Sequence, residues 1–235
     1  MTDKLLGRWR GRTVVCAASG PSISAEDLEM VRAAGLMLIC VNNTWELAPW
    51  AEAMVAMDTA WWRAYGKKVE AGFAGERVGF TSQACKFGAS FTTYGHVMHN
   101  FGNSGAAAIA AAVRGRAARV LLLGYDCLPR DDGQMHWHGN HPAPLSNPHA
   151  SINRWPAQFE RVGKHAREKG VQVINCSRRT ALACFERMRL EEALRTATSN
   201  GTSGSSTSEA SGTRTPAAPP RSSATAPGPL ATAAT

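Results

Sequence analysis

Short apolar runs alternate with amphipathic segments along most of this chain. The runs that predict buried β-strands lie at 13–18, 36–41, 53–57, 118–127 and 171–177. The segments with the apolar spacing of helices lie at 26–35, 59–72, 106–117, 155–170 and 190–195. Two further stretches, 78–82 and 89–94, have an extended pattern.

The order of these elements predicts the fold class. Strands that alternate with helices form βαβ units, in which a parallel sheet is covered by helices on both faces. Ser24 followed by Asp27 is a helix-capping pattern at the start of the first helix, and Gly35 ends that helix. The pattern therefore predicts an α/β protein with a Rossmann-like, mostly parallel sheet.

The composition changes near residue 196. The segment 196–235 is rich in Ser, Thr, Gly, Pro and Ala and has almost no large apolar side chains. Such a segment cannot bury enough apolar surface to offset its ordering entropy. We therefore expect two parts, a nucleotide-binding α/β domain over 1–195 and a disordered tail over 196–235.

The overall charge is basic. The chain has 26 Lys and Arg against 18 Asp and Glu, a formal net charge of +8, but no run of five or six basic residues. This excludes an obvious nucleic-acid-binding tail. It leaves any anionic partner open, including nucleotides, phosphosugars and DNA.

The cysteines and the apolar runs bear on the compartment. The six cysteines form no CxxC pair, and four lie in or beside strand-like runs, which favours reduced buried thiols over a disulfide framework. No apolar run approaches the roughly 20 residues of a membrane span, and the first residues lack a signal-peptide core. We expect a soluble cytoplasmic protein without a membrane span.

Small and polar residues gather where the predicted strands end, and ligands of open α/β sheets bind at that edge. These candidate binding residues are Ser19, Gly20, Pro21, Ser22, Asn42, Asn43, Asp58, Asn103, Ser104, Gly105 and Asp126. The two glycine-containing turns precede helices, whose N-terminal N–H groups can bind phosphate. Plain tight turns, Asn-favoured turns and helix caps explain the same residues without a ligand.

Three histidines fall within six residues, in the loop that follows the 118–127 strand. His136, His138 and His141 can bind a metal, supply a general base, or coat a polar loop. The loop has no regular element that would fix metal ligands. A general acid or base is the favoured interpretation.

The order of five segments resembles a known fold group. The segments are AASGPSI at 17–23, VNNTWELAPWAEAMVAMDTAWW at 41–62, NSGAAAIAAAVRGRAARVLLLGYD at 103–126, HWHGNH at 136–141 and VINCSRRTALACF at 173–185. Together they resemble the group that contains the bacterial family 42 sialyltransferases and the archaeal hydroxymethylpterin diphosphokinase-like proteins. They look closest to a phage and prophage branch of it.

The resemblance implies roles for particular residues. In the sialyltransferases the first glycine-rich turn and the asparagine after the second strand hold the CMP part of the donor. These positions fall on Gly20, Pro21, Ser22 and Asn42 or Asn43, while Ser104 and Gly105 would line the nucleotide pocket. The base that deprotonates the acceptor would be His141, or otherwise His138, with one extra residue before His141.

Three hypotheses follow from the resemblance. The favoured one is a glycosyltransferase-like enzyme that binds a nucleotide-activated small molecule and needs no cofactor. The second is a diphosphotransferase that uses ATP and Mg²⁺, with Asp58 and Asp126 facing the metal. The third is a non-enzymatic phage protein that keeps the fold. The acceptor is undetermined, a homo-oligomer is compatible with the sequence, and a phage-encoded protein would act in the host cytoplasm.

Overall fold

The computed structural model describes residues 4–91, 101–142, 145 and 151–199. The predicted disordered tail beyond residue 199, and all but the first three residues of the extended stretch 89–94, lie outside these ranges.

The described residues form one eight-stranded sheet in which every pair of neighbouring strands is parallel. The strands are β1 (Thr13–Ala17), β2 (Met37–Val41), β3 (Ala53–Ala56), β4 (Glu76–Gly79), β5 (Ser90–Phe91), β6 (Arg119–Leu123), β7 (Gln172–Asn175) and β8 (Glu186–Arg187). Their spatial order is β5-β4-β3-β2-β1-β6-β7-β8. The chain reverses its direction of winding beside β1, which is where open sheets of this kind form a crevice.

Helices cover both faces of the sheet. In the described part of the chain they are α1 (Ala25–Ala33), α2 (Thr59–Gly72), α3 (Ser82–Cys85), α4 (Ser104–Arg114), α5 (Trp155–Glu168) and α6 (Leu190–Ser199). Side chains alternate along β1, so that Val14 packs with Ile109 of α4 on one face and Val15 packs with Leu28 of α1 on the other. The predicted α/β class and the Rossmann-like parallel sheet are confirmed.

Local backbone chemistry explains where the elements begin and end. Ser24 caps α1, and the reciprocal bond from the Asp27 side chain completes the predicted capping box. The strand predicted over 118–127 ends at Leu123, because Gly124 adopts a left-handed conformation (φ +66°). The stretch 78–82 is not a single extended segment, since β4 ends at Gly79 and Thr81 caps α3.

The boundary of the folded part lies further along the chain than predicted. Helix α6 continues to Ser199, past the expected end of the domain at residue 195. Thr196, assigned above to the tail, donates a hydrogen bond to the carbonyl of Ala193 and accepts one from Arg119. Residues 196–199 have the composition of a loop, but they extend α6, a helix whose apolar face is already established by the preceding residues.

The cysteines differ in burial: Cys16, Cys40 and Cys176 are buried, Cys127 and Cys184 are partly exposed, and Cys85 is exposed. All six cysteines are free thiols, and burial raises the pKa of Cys127 and of Cys176 to about 12. Within the described ranges, no helix combines the length and the apolar character that crossing a bilayer requires.

Candidate functional site

A cleft of about 440 Å³ opens at the carboxyl ends of the central strands. Its walls come from the turn after β1, the residue after β2, the starts of α2 and α4, the histidine loop and the start of α5. The volume lies within the range typical of small-molecule sites. The cleft is therefore the candidate functional site.

The floor of the cleft is a close contact between the turns that follow β1 and β6. The N–H of Gly20 donates to the carbonyl of Gly124 at 2.9 Å. A Cβ atom on Gly20 would lie 2.3 Å from that carbonyl oxygen and 2.6 Å from Asp126 Oδ1. Only glycine fits there, so packing between the two turns accounts for Gly20.

Asp126 fixes the turn after β1 through hydrogen bonds from Ser22. Its carboxylate accepts a hydrogen bond from the Ser22 N–H at 2.8 Å and another from the Ser22 hydroxyl at 2.7 Å. Burial raises the pKa of Asp126, and the two bonds from Ser22 oppose that rise. Neither side chain lines the cleft, and neither does Pro21.

Ser19 connects three parts of the site. Its hydroxyl donates to the carbonyl of Val41 at 3.1 Å and lies 2.9 Å from the hydroxyl of Thr44. Its carbonyl accepts from the N–H of Trp137 at 3.0 Å. The histidine loop is thus attached directly to the turn after β1.

The two asparagines after β2 have different environments. Asn43 is buried, with its Oδ1 accepting from Trp61 Nε1 at 2.7 Å and its Nδ2 donating to Glu46. Asn42 lines the cleft in a left-handed conformation (φ +49°), and its buried Oδ1 has no hydrogen-bond partner in the described structure. A strained residue with an unpaired buried acceptor at a strand end is a good candidate for ligand contact.

The start of α4 is built from small and amide side chains. Asn103 caps the helix by accepting from the Ala106 N–H at 2.8 Å, and its Nδ2 donates to Gln158 Oε1 at 2.7 Å. The hydroxyl of Ser104 accepts from the N–H of Met57 at 3.1 Å. These bonds join α4 to α5 and β3 and hold Ser104 and Gly105 against the cleft.

The three histidine rings touch one another. The ring centroids are 4.9 Å apart for His136 and His141, 4.9 Å for His138 and His141, and 5.1 Å for His136 and His138. His136 and His141 line the cleft, whereas His138 lies behind them with a buried Nε2 that has no partner in the described structure. Among the described residues, no three His, Cys, Asp or Glu side chains are placed to hold a metal ion.

Burial keeps this cluster neutral. Desolvation and the two neighbouring histidines lower the pKa of His136 to about 3, against a hydrogen bond to the Ser19 backbone. Desolvation, with His141 next, lowers the pKa of His138 to about 4. Desolvation also lowers the pKa of His141, while the carboxylate of Asp58 acts in the opposite direction. At neutral pH all three are imidazoles that can accept a proton.

Helix α2 supplies the partners of His141. The hydroxyl of Tyr65 lies 3.1 Å from His141 Nδ1. Asp58 precedes the first residue of α2, makes no capping bond with its side chain and lines the same cleft as His141, with which its carboxylate interacts electrostatically. Desolvation by the walls of the cleft raises the pKa of Asp58, and His141 partly offsets that rise.

The predicted site residues therefore divide into two groups. Those that line the cleft are Ser19, Gly20, Asn42, Asp58, Asn103, Ser104, Gly105, His136 and His141. Those that support it from outside its lining are Pro21, Ser22, Asn43, Asp126 and His138.

The structure adds Tyr65, Arg154 and Gln158 to the polar residues of the site, although none of the three was a sequence candidate. Tyr65 follows Asp58 by seven positions on α2, so helical spacing could have placed both on one face. Arg154 and Gln158 line the cleft from the start of α5. They follow a long irregular loop, and no sequence pattern places them at the site.

Comparisons with known proteins give no family. No protein-family model matches the chain, and no curated protein matches it significantly. Solved structures that match include UDP-glucose 4-epimerase from Brucella ovis in complex with NAD (13% identity, 71% of this chain and 51% of that chain, TM-score 0.30). Two others are the TTHB071 protein from Thermus thermophilus soaked with ZnCl2 (14%, 69% and 55%, TM-score 0.20) and gox2253 (16%, 71% and 51%, TM-score 0.26).

The chain spans about half the length of these structures. At such TM-scores and identities the likeness carries no argument about function. The chemistry of the cleft has to be derived from its own residues.

Proposed function

We propose that this protein is a glycosyltransferase-like enzyme that transfers a group from a nucleotide-activated donor to an acceptor hydroxyl, with His141 as the general base. The observation that carries the proposal is the position of the neutral His141 imidazole. It lines the same cleft as Gly20, Asn42 and Ser104, the residues that the family 42 resemblance assigns to the nucleotide.

Tyr65 and Asp58 prepare His141 to act as a base. When Nδ1–H of His141 donates to the Tyr65 oxygen, the ring has its lone pair on Nε2. That nitrogen takes the proton of the acceptor hydroxyl as the acceptor oxygen bonds to the anomeric carbon. The bond from that carbon to the phosphate oxygen breaks, and the nucleotide leaves with the electron pair. The Asp58 carboxylate stabilises the imidazolium that results.

The donor side of the cleft supplies uncharged hydrogen-bonding groups. The unpaired Oδ1 of Asn42 can accept from an amino group of a base or from a ribose hydroxyl. The first N–H groups of α4, at Ser104 and Gly105, have no intrahelical acceptor and point towards the N-terminal end of the helix. A phosphate at that end is favoured by the helix dipole.

The Mg²⁺-dependent diphosphotransferase is less well supported by the same geometry. It needs Asp58 and Asp126 at one metal ion. Both oxygens of Asp126 instead accept hydrogen bonds from Ser22, and Asp126 does not line the cleft. The residues present do not fit a two-carboxylate magnesium site.

Thermal shift with a ligand panel tests the nucleotide part of the proposal. The panel is CMP, a CMP-sugar, UDP, a UDP-sugar, and ATP with and without Mg²⁺. We expect a nucleotide or nucleotide-sugar to raise the melting temperature without metal. Stabilisation by ATP only with Mg²⁺ would favour the diphosphotransferase, and no shift by any nucleotide would contradict both enzyme proposals.

Donor hydrolysis tests the chemical part without knowledge of the acceptor, because water can replace the acceptor hydroxyl. Release of free nucleotide from the stabilising donor should fall 100-fold or more in His141→Ala. His165→Ala is the matched control, since His165 lies on α5 and does not line the cleft. Full turnover by His141→Ala would remove the base assignment.

A further inference from the structure

Arginines concentrate at the edge of the sheet opposite the cleft. Residues 7–12 run beside residues 114–119 and are joined to them by backbone hydrogen bonds, among them Trp9 N–H to Gly115 O at 2.8 Å and Ala118 N–H to Arg12 O at 2.9 Å. The two paired segments carry six arginines between them. The six, here called the arginine edge, are Arg8, Arg10, Arg12, Arg114, Arg116 and Arg119.

Buried side chains hold these two segments against each other. Trp9 is buried, and a Cβ on Gly115 would lie 2.1 Å from its ring, so the indole occupies the space that a side chain would need. The buried Leu5 secures the same segment. The arginines next to these buried residues point outwards, and Arg8, Arg10, Arg12 and Arg116 are exposed.

Four arginines of this edge have no neighbouring carboxylate as an ion-pair partner among the described residues. Four of its members, Arg8, Arg10, Arg12 and Arg116, form no ion pair within the described part of the chain.

The carboxylates at the same edge of the sheet have other partners. Glu76 pairs with Lys4 at 3.2 Å, and Glu52 accepts from the N–H of Leu38 at 2.6 Å. A surface with several unpaired guanidinium groups side by side is stabilised by a partner that brings several negative charges.

The position separates this surface from the cleft. Arg12 directly precedes β1 and Arg119 begins β6, whereas the cleft lies beyond the other ends of these strands. Five residues of strand span about 16 Å. A ligand of the size that fits the cleft does not reach both places, so the arginine edge serves a different partner.

We propose that the arginine edge binds the phosphodiester backbone of a nucleic acid, independently of the chemistry in the cleft. Its four exposed members, without ion pairs among the residues described, carry planar guanidinium groups, which match phosphate oxygens in a bidentate arrangement. A membrane surface is the less suitable partner. Leu6 is the exposed large apolar side chain in the described structure, and a single one provides little insertion beside the basic residues.

Salt-dependent binding of the full-length protein to a fluorescently labelled 20-base-pair DNA duplex tests this. Arg10→Ala, Arg12→Ala and Arg116→Ala are combined in one variant, because all three side chains are exposed. The matched control removes three charges elsewhere, at Arg63, Lys67 and Arg161, which are exposed on α2 and α5. We expect the first variant to raise Kd at least tenfold and to lower the slope of log K against log salt by about two to three. The control should change Kd less than threefold.

Three outcomes would overturn the inference. Equal weakening in both triple variants would show a diffuse charge effect and no defined surface. Absence of duplex binding by the wild-type protein, together with binding to phosphatidylserine vesicles, would assign the surface to membranes. No binding to either would remove it as a polyanion site. His141→Ala should bind the duplex like the wild type, so failure of the proposed enzyme function leaves this result unaffected.

Discussion

The hydroxyl of Tyr65 lies 3.1 Å from Nδ1 of His141, although the two residues belong to different elements 76 positions apart. Tyr65 stands on α2, with its ring 5.4 Å from that of Trp61 on the preceding turn. Trp61 in turn donates to the buried Asn43. Helix α2 is therefore fixed by Trp61. Its Tyr65 positions the imidazole of His141, which belongs to a long polar loop.

Replacing Tyr65 by Phe tests whether this contact positions the base. Phe keeps the packing against Trp61 and removes the hydroxyl that hydrogen-bonds with His141 Nδ1. We expect the rate of donor hydrolysis to fall about tenfold and its pH profile to change, because the tautomer of His141 is no longer fixed. The melting temperature should change by less than about 2 °C. An unchanged rate and pH profile would show that the contact has no part in the reaction.

Two substitutions at Asn42 separate backbone strain from ligand contact. Asn42→Gly keeps the left-handed backbone accessible and removes the amide, so stability should be retained while the melting shift caused by the nucleotide is lost. Asn42→Ala keeps a Cβ atom in the same conformation, so it should also lose the nucleotide shift, with a free energy of unfolding about 1 kcal/mol below that of Asn42→Gly. Chemical denaturation and thermal shift measure the two effects. A full nucleotide shift in Asn42→Gly would exclude this amide from the binding site.

The sequence predicted the α/β class and most of the elements that hold the site, because apolar runs report burial and parallel strands bring their ends to one edge. Gly20, Asn42 and His141 stand at strand ends or in the loop after a strand, and they line one cleft. Element ends were harder to predict. Because Gly124 is left-handed, β6 ends at Leu123, four residues before the end of the apolar run 118–127.

The pattern does not distinguish residues that line the cleft from residues that support it. Ser22 and Asp126 were both candidate ligand-binding residues, but they hydrogen-bond each other. Asn43 accepts a hydrogen bond from Trp61, whereas the Oδ1 of Asn42 has no hydrogen-bond partner among the described residues. Arg154 comes from a region without periodicity. These differences depend on which side chains meet across the fold, and a single sequence contains no direct record of such contacts.

Gly20→Ala tests the packing of the two turns at the floor of the cleft. The new Cβ would collide with the carbonyl of Gly124 and with Asp126. Displacing backbone atoms there costs free energy. We expect a loss of about 3 kcal/mol in the free energy of unfolding. Gly133→Ala is the control, because its left-handed backbone is strained by Cβ but nothing lies within 4 Å, and a loss of about 1 kcal/mol is expected. Equal losses in urea denaturation would contradict the collision.

The histidine cluster should make the fold sensitive to mild acid. His136 and His138 have pKa values of about 3 and about 4 in the fold, against 6.5 for an unperturbed histidine. As pH falls from 7 to 5, the unfolded chain takes up protons that the folded chain does not, so the free energy of unfolding decreases. We expect a decrease of about 2 kcal/mol after allowing for partial solvent screening.

The double variant His136→Asn and His138→Asn isolates this effect, because asparagine is polar and does not titrate. Asp58 and Asp126 act in the opposite sense, since their pKa values are raised in the fold and their protonation in mild acid stabilises it. They are common to both proteins, so the difference between the wild type and the variant cancels their contribution. Urea unfolding at pH 7 and pH 5 should show at least half of the decrease abolished in the variant. An identical pH dependence in both proteins would mean that these two rings are protonated as readily in the fold as in the unfolded chain.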